Sequence, residues 1–397
     1  MSDSETLFVP AQNVVVSVPD VNEKPTVRPA HHTNDSGTRF QNPWPSFRGP
    51  NFSQIVKFAG AVVGSFPSVP KDIDALIPTQ KPTWGAGLRR EDIKATWLGH
   101  ACFLVEFPSA KDAVRGLRII FDPVFQDRCF PVQFMGPKRI TPTPCEIEEI
   151  PSVDAIVLSH NHYDHTDSHT IRTLIKKHDA HVFAPLGNHP YLSSLGVPKS
   201  HIHILDWWES RTLSLSLPIT SPSSDITTSA QKATVETSVK LTCTPAQHVA
   251  NRSLFDRWHT LWASWAVEDL TSGKKAYFGG DTGYRTVLDG EDEDKVPTCP
   301  AFKEIGEKLG PFDFAMIPIG AYDPRDVFSG VHAHPVDSVR IFQDIRAKKA
   351  LGMHWGTWIL TTEPIMEPPA ELRRACDNAK VRQEEFDICG LGETRPF

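Results

Sequence analysis

The sequence has no long hydrophobic run. Apolar stretches such as 58–63 (FAGAVV) and 314–320 (FAMIPIG) stop far short of the about 20 residues that a helix needs to cross a bilayer. A membrane-spanning chain is therefore not expected, and membrane contact is limited to a peripheral kind. Cysteine is sparse and scattered: seven in 397 residues, at 102, 129, 145, 243, 299, 376 and 389, with no CxxC pair. That spacing excludes a zinc ribbon or a dithiol redox couple and favours buried, reduced thiols. Positive charge is not in excess either. The 41 Lys and Arg face 48 Asp and Glu, and a net charge of −7 offers nucleic acid no attracting field. The N-terminal MSDSETLF lacks the basic and apolar stretches of a secretory signal, so a cytoplasmic address is the expectation.

What is present changes along the chain. Residues 1–85 hold eleven of the 34 prolines without sustained periodicity, so 1–38 read as a disordered tail and 39–85 as an irregular wrap. From 95 onward short apolar runs appear: 95–107, 117–122, 154–159, 181–184, 201–205, 239–243, 261–267, 275–279, 314–319 and 350–354. These read as strands. Helical stripes fall at 167–178, 301–309 and 335–347, the last with Pro335 at a first-turn position. Strands outnumber helices, and helices occur in both halves, which suggests two sheets face to face with helices outside. Residues 39–397 form one expected domain. Two surface insertions are expected in it: the Ser/Thr-rich 213–238, and 285–296 with its run DGEDED.

The chemistry starts at 160–165, His-Asn-His-Tyr-Asp-His, directly after the apolar run DAIVLS. Residues i and i+2 of an extended chain point the same way, so His160 and His162 can meet one metal while Asp164 and His165 turn toward a neighbouring position. Such a site needs further ligands, and His248, Asp281 and His354 each stand just past another expected strand. Strand ends of a layered sheet gather at one edge. Seven N/O ligands without a thiolate suit two first-row divalent cations, zinc foremost, with iron or manganese also compatible. The division that follows is His160, His162 and His248 on one ion, Asp164, His165 and His354 on the other, and Asp281 between them.

These residues carry a resemblance. HNHYDH with His248, Asp281 and His354 resembles the metallo-β-lactamase superfamily. The segments WLGHACFLVEF, FDPVFQDRCFPVQFMGPKRITPTPC, LDWWE, TPAQH, FGGDTGY, FAMIPIGAYDPRD and MHWGTW resemble the N-acyl-phosphatidylethanolamine-hydrolysing phospholipase D family, from about residue 39 to the C-terminus. The resemblance implies an αββα metallo-β-lactamase sandwich, an α/β fold in four layers. It implies a binuclear zinc phosphodiesterase that releases N-acylethanolamine and phosphatidic acid through a metal-bridging hydroxide. Asp164, Asp281 and His332 take catalytic roles, and Tyr163 and His332 line the substrate pocket. The implied partner is a membrane phospholipid met at the periphery of intracellular membranes, and a homodimer is compatible with the family pattern.

The chain departs from that pattern at His332-Ala-His334-Pro335, so either His332 or His334 can donate a proton to the leaving oxygen. Lys138, Arg139 and Arg252 are candidates for phosphate contact. Residues 55–66 with Phe130, Phe134 and Met135 are candidates for lipid contact. Another hydrolase of the same fold, acting on a lactone, thioester or different phosphodiester, is the alternative reading, and a non-catalytic scaffold is disfavoured because no ligand is missing. None of the 17 histidines is followed by Lys two positions on, which excludes the phosphohistidine chemistry of unrelated phospholipases D.

Overall fold

A computed structural model describes residues 7–18, 27–51, 66–219, 233–253 and 255–397, together with 54, 56 and 60. Its strands form two sheets. One orders β1 (Gln12–Ser17), β8 (Ser210–Pro218), β9 (Thr234–Thr244), β10 (Ser264–Asp269), β11 (Lys275–Phe278), β12 (Phe314–Pro318), β13 (Ala350–Met353) and β14 (Phe386–Asp387) side by side. The other orders β15 (Thr394–Pro396), β2 (Lys94–Gly99), β3 (Cys102–Glu106), β4 (Arg118–Phe121), β5 (Ala155–Val157), β6 (His181–Pro185) and β7 (Ile202–Leu205). Within each sheet antiparallel pairing gives way to parallel pairing, at β11–β12 in the first and at β4–β5 in the second.

Side-chain alternation shows why the strands read as unbroken apolar runs. Phe103, Val105, Ile119, Phe121, Ala155 and Val157 face the other sheet, whereas Leu104, Ile120 and Ile156 face α2 (Ser168–His178) and α3 (His189–Ser194). Both faces are covered, so neither needs polar residues. Helices α4 (Ala301–Lys308), α6 (Pro335–Asp344) and α7 (Glu367–Ala379) pack together on the first sheet. Short helices α1 (Ile73–Leu76) and α5 (Arg325–Phe328) lie between strands. Two inner sheets between two helical layers make the αββα sandwich. Full burial of a side chain such as Phe121 contributes roughly 1.5–3 kcal/mol. All seven cysteines are free and buried.

Three expectations need correction. The run 95–107 is not one strand: the backbone turns at His100, whose φ is +50°, and β2 folds back antiparallel onto β3. Only Gly99 and His100 mark that turn within a largely apolar run, because both arms are buried. Residues 213–218 and 234–238 are not solvated loop but the paired ends of β8 and β9, with Leu213, Leu215 and Leu217 buried and Ser or Thr between them. Serine-rich composition hid a period of two. The tail is ordered over 12–17, where β1 pairs with β8. The acidic run 289–294 lies exposed at the surface, where Arg48 pairs with Glu291, Arg325 with Glu293, and Arg340 with Asp294. Most of 55–66 and all of 220–232 lie outside the described residues.

Candidate metal centre

Five strand ends deliver the polar side chains. β5 runs into Leu158-Ser159-His160, β9 into His248, β11 into Asp281, β13 into His354, and the β2–β3 turn presents His100. Gly280, at φ +56°, makes the approach of Asp281 possible, because a Cβ there would lie 2.5 Å from Cβ of Ser159. The loop after His160 closes when the backbone N–H groups of His165 and Thr166 donate to the carbonyl of His162. Asp167 then caps α2 by accepting from the N–H of His169.

All seven ligands expected from the sequence converge. With His100 as an eighth member, they fall into two adjoining sets: His160, His162, His248 and Asp281, and His100, Asp164, His165 and His354. Asp281 stands between them. Its Oδ2 lies 3.6 Å from Nε2 of His248, 3.8 Å from Nε2 of His160 and 3.1 Å from Nε2 of His165, while its Oδ1 lies 3.0 Å from Nε2 of His354.

The residues fit divalent cations on three counts. Asp281 is buried, yet neither carboxylate oxygen has a hydrogen-bond partner, a costly arrangement without a cation. Nitrogens of His160, His162 and His248 sit 2.8 Å and 3.4 Å apart in sequence around the set, close to the about 3.3 Å that separates two ligands on a tetrahedral zinc ion. The opposite nitrogen of four histidines is tied down. Ser159 Oγ holds Nδ1 of His160, Asn251 Oδ1 holds Nε2 of His162, Asp122 Oδ2 holds Nδ1 of His165, and the Val331 carbonyl holds Nδ1 of His248. Such partners set the ring orientation and tautomer that ligation requires.

The electrostatics agree. Burial pushes His160 and His248 well below the ordinary imidazole range, leaving neutral nitrogen donors. Burial alone would raise Asp164 and Asp281. The charge on His165 overrides it in both, helped by hydrogen bonds to Asp164 from His100, His165 and His354, and holds both carboxylates well below their usual range. Against burial, Asp281 and Asp164 in turn hold His165 and His354 above the ordinary imidazole range, positive charge that a divalent cation would replace on ligation.

Other candidates take different places. His332 borders the centre, its Nδ1 buried, unpartnered and 3.9 Å from Oδ2 of Asp281. His334 does not: it caps α6, its Nδ1 accepting from the N–H of Val336, with its ring against Tyr322. Tyr163 donates to the carbonyl of Arg252 and packs beside Cys129 and Trp358. Arg252 is engaged within the protein. Its guanidinium lies between the rings of Tyr163 (3.9 Å) and Tyr191 (4.5 Å), and Nη1 donates to the carbonyls of Asn161 and Thr166, the two ends of the ligand loop. Arg139 donates to the carbonyls of Gln126 and Val124 and covers Trp358, and Lys138 is exposed near Asp127.

Sequence reasoning missed two residues of the site. Asp122 and His100 each follow an apolar strand, the same signal that singled out Asp281 and His354.

Comparisons with known proteins agree with this geometry. The profile of the beta-lactamase superfamily domain matches residues 117–355. The chain is 33% identical over 335 residues to N-acyl-phosphatidylethanolamine-hydrolyzing phospholipase D 1 of Caenorhabditis elegans, an alignment that spans 83% of each chain. It is 28% identical over 375 residues to the mitochondrial N-acyl-phosphatidylethanolamine-hydrolyzing phospholipase D of Saccharomyces cerevisiae, covering 84% of this chain and 70% of that one. Among solved structures, an isothiocyanate hydrolase from Delia radicum gut bacteria superimposes on 77% of this chain and 99% of its own, with a TM-score of 0.50 at 15% identity, a likeness of fold alone. The chain is thus a metal-dependent hydrolase of the metallo-β-lactamase fold and belongs to the N-acyl-phosphatidylethanolamine-hydrolysing phospholipase D family.

Proposed function

We propose that this protein hydrolyses N-acyl-phosphatidylethanolamine to N-acylethanolamine and phosphatidic acid, with two zinc ions as cofactor. The observation that carries the reading is the buried, unpartnered carboxylate of Asp281 between two sets of ligands, in a chain with these relatives. His160, His162 and His248 would hold one ion, Asp164, His165 and His354 the other, and Asp281 both. Bound there, the pair supplies an acidified water and positive charge against the phosphoryl oxygens. The chain does the rest.

His332 is the group on the leaving-group side. Burial lowers it to about 4, so at neutral pH it meets substrate as a neutral imidazole and gains a proton only against the negative charge of a bound phosphodiester. Tyr163, half-buried in the ligand loop, would contact the diester. A small recess beside His100 and His354 is walled by Ile140, Trp358, Leu360 and Ile365 together with Thr361 and Glu363, so apolar surface adjoins the centre. Phe134 and Phe255 are 81% and 90% exposed on the segments that lead from Cys129 and Arg252, and they support peripheral contact with a lipid surface. No helix among the described residues is long and apolar enough to cross a membrane.

The test is a lipid-product assay by mass spectrometry. Zinc-loaded protein is expected to yield both products, chelated protein neither, and zinc should restore them. Asp281→Asn should lower turnover by orders of magnitude. Failure of the zinc-loaded protein to cleave the lipid while it opens a lactone or thioester would sink the reading.

A further inference from the structure

A second group of metal-ligating side chains lies outside the centre described above. His31 and His32 are consecutive, yet both imidazoles face Asp206, the residue directly after β7. Successive residues of an extended chain point apart. Here the N–H of His32 donates to the carbonyl of Pro29, and a turn redirects the second ring to the same side as the first. Nε2 of His31 lies 2.7 Å from Oδ1 of Asp206, and Nε2 of His32 lies 2.8 Å from Oδ2. The three side chains are only 9%, 11% and 18% exposed.

Two features distinguish this group from a simple ion pair. Nε2 of His32 is buried and makes no hydrogen bond, despite its closeness to the carboxylate: the distance is right and the direction is not. The rings are also held from behind, His31 stacked on Trp207 at 4.2 Å and His32 edge-on to Phe40 at 5.3 Å. Two preset imidazole nitrogens and one carboxylate are a ligand set for a borderline divalent cation, with water able to complete the shell.

We propose that His31, His32 and Asp206 form a third cation site, structural in role, that takes zinc or a similar divalent ion. Its purpose follows from where the segment goes next. The N–H of Phe40 donates to the carbonyl of Trp258, Nδ2 of Asn42 donates to the carbonyl of His248, and Ser46 Oγ donates to Oε1 of Gln247. A cation at residues 31, 32 and 206 clips down the segment whose next turn supports a ligand of the catalytic centre. The inference stands on this geometry and does not depend on the substrate.

The experiment counts zinc. The full chain is stripped with chelator, reloaded with zinc, freed of excess and analysed for metal per chain. His31→Gln/His32→Gln and, separately, Asp206→Asn are each expected to hold one equivalent fewer than wild type, with their far-ultraviolet circular dichroism unchanged. A His160→Gln/Asp281→Asn chain should keep that equivalent. Equal zinc content in wild type and the clip variants would overturn the proposal. Should those variants not fold, anomalous scattering at the zinc edge from wild-type crystals decides. A peak among the three side chains supports the site, and its absence beside occupied catalytic positions contradicts it.

Discussion

Oδ2 of Asp122 lies 2.7 Å from Nδ1 of His165, and both side chains are fully buried. The same carboxylate also accepts from the backbone N–H and the hydroxyl of Ser159, the residue before His160. Asp122 thereby fixes two neighbouring ligands at once. Asp122→Asn keeps the volume and an acceptor for Ser159 but loses the negative charge facing His165. It should weaken metal binding by about 10–100-fold, as losses of such supporting carboxylates do. Competition against a coloured chelator reads this directly, and an unchanged affinity would remove Asp122 from the account.

Arg252 makes a sharper discrimination. Its guanidinium joins the carbonyls of Asn161 and Thr166 and so braces the loop that carries His162, Asp164 and His165. Lys retains the charge but not the planar fork or the stacking between two tyrosines. Arg252→Lys should therefore lower kcat and metal retention together while KM changes little. A rise in KM with metal content intact would return Arg252 to phosphate contact.

Much of the site was legible because its chemistry is local. His160, His162, Asp164 and His165 occupy six residues, and their density alone marks a metal site. His248, Asp281 and His354 were found by a physical rule, polar residues just beyond apolar strands. Asp122 obeys the same rule and was overlooked, since one carboxylate in a turn says nothing of the histidine it will meet 43 residues later. His100 was concealed by a run that looked like one strand. Arg252 shows a further limit: a basic residue in sequence gives no sign that its partners are backbone carbonyls. The β8–β9 hairpin was masked by serine and threonine, which tolerate strands as well as loops.

A pH effect follows from a different histidine pair. Nδ1 of His181 and Nε2 of His203 lie 2.8 Å apart on neighbouring strands β6 and β7, and burial lowers each to about 4. An unfolded histidine titrates near 6.5. The unfolded chain therefore binds more protons below that value, and the stability contributed by the neutral pair is present above pH 6.5 and lost as pH falls toward 4. Urea unfolding at pH 7 and pH 5 should show a smaller acid loss in His203→Phe than in wild type. Identical losses would contradict this assignment.

His332 and the ligands should separate cleanly. His332→Ala removes a group that borders the centre without belonging to the seven expected ligands, so metal content should hold while turnover falls by roughly 10²–10⁴-fold, the range of a lost acid–base group. His334→Gln should leave turnover near wild type and cost about 1 kcal/mol of stability as a lost helix cap. Loss of metal in His332→Ala would place that residue in the coordination shell instead.

The most direct test of phosphodiester hydrolysis uses water labelled with heavy oxygen. Zinc-loaded protein is incubated with N-acyl-phosphatidylethanolamine and a primary alcohol, and both products are weighed by mass spectrometry. If water attacks phosphorus without a covalent protein intermediate, one labelled oxygen enters phosphatidic acid, none enters the N-acylethanolamine, and no phosphatidyl-alcohol forms. Label in the N-acylethanolamine, or substantial transfer to the alcohol, would contradict the account.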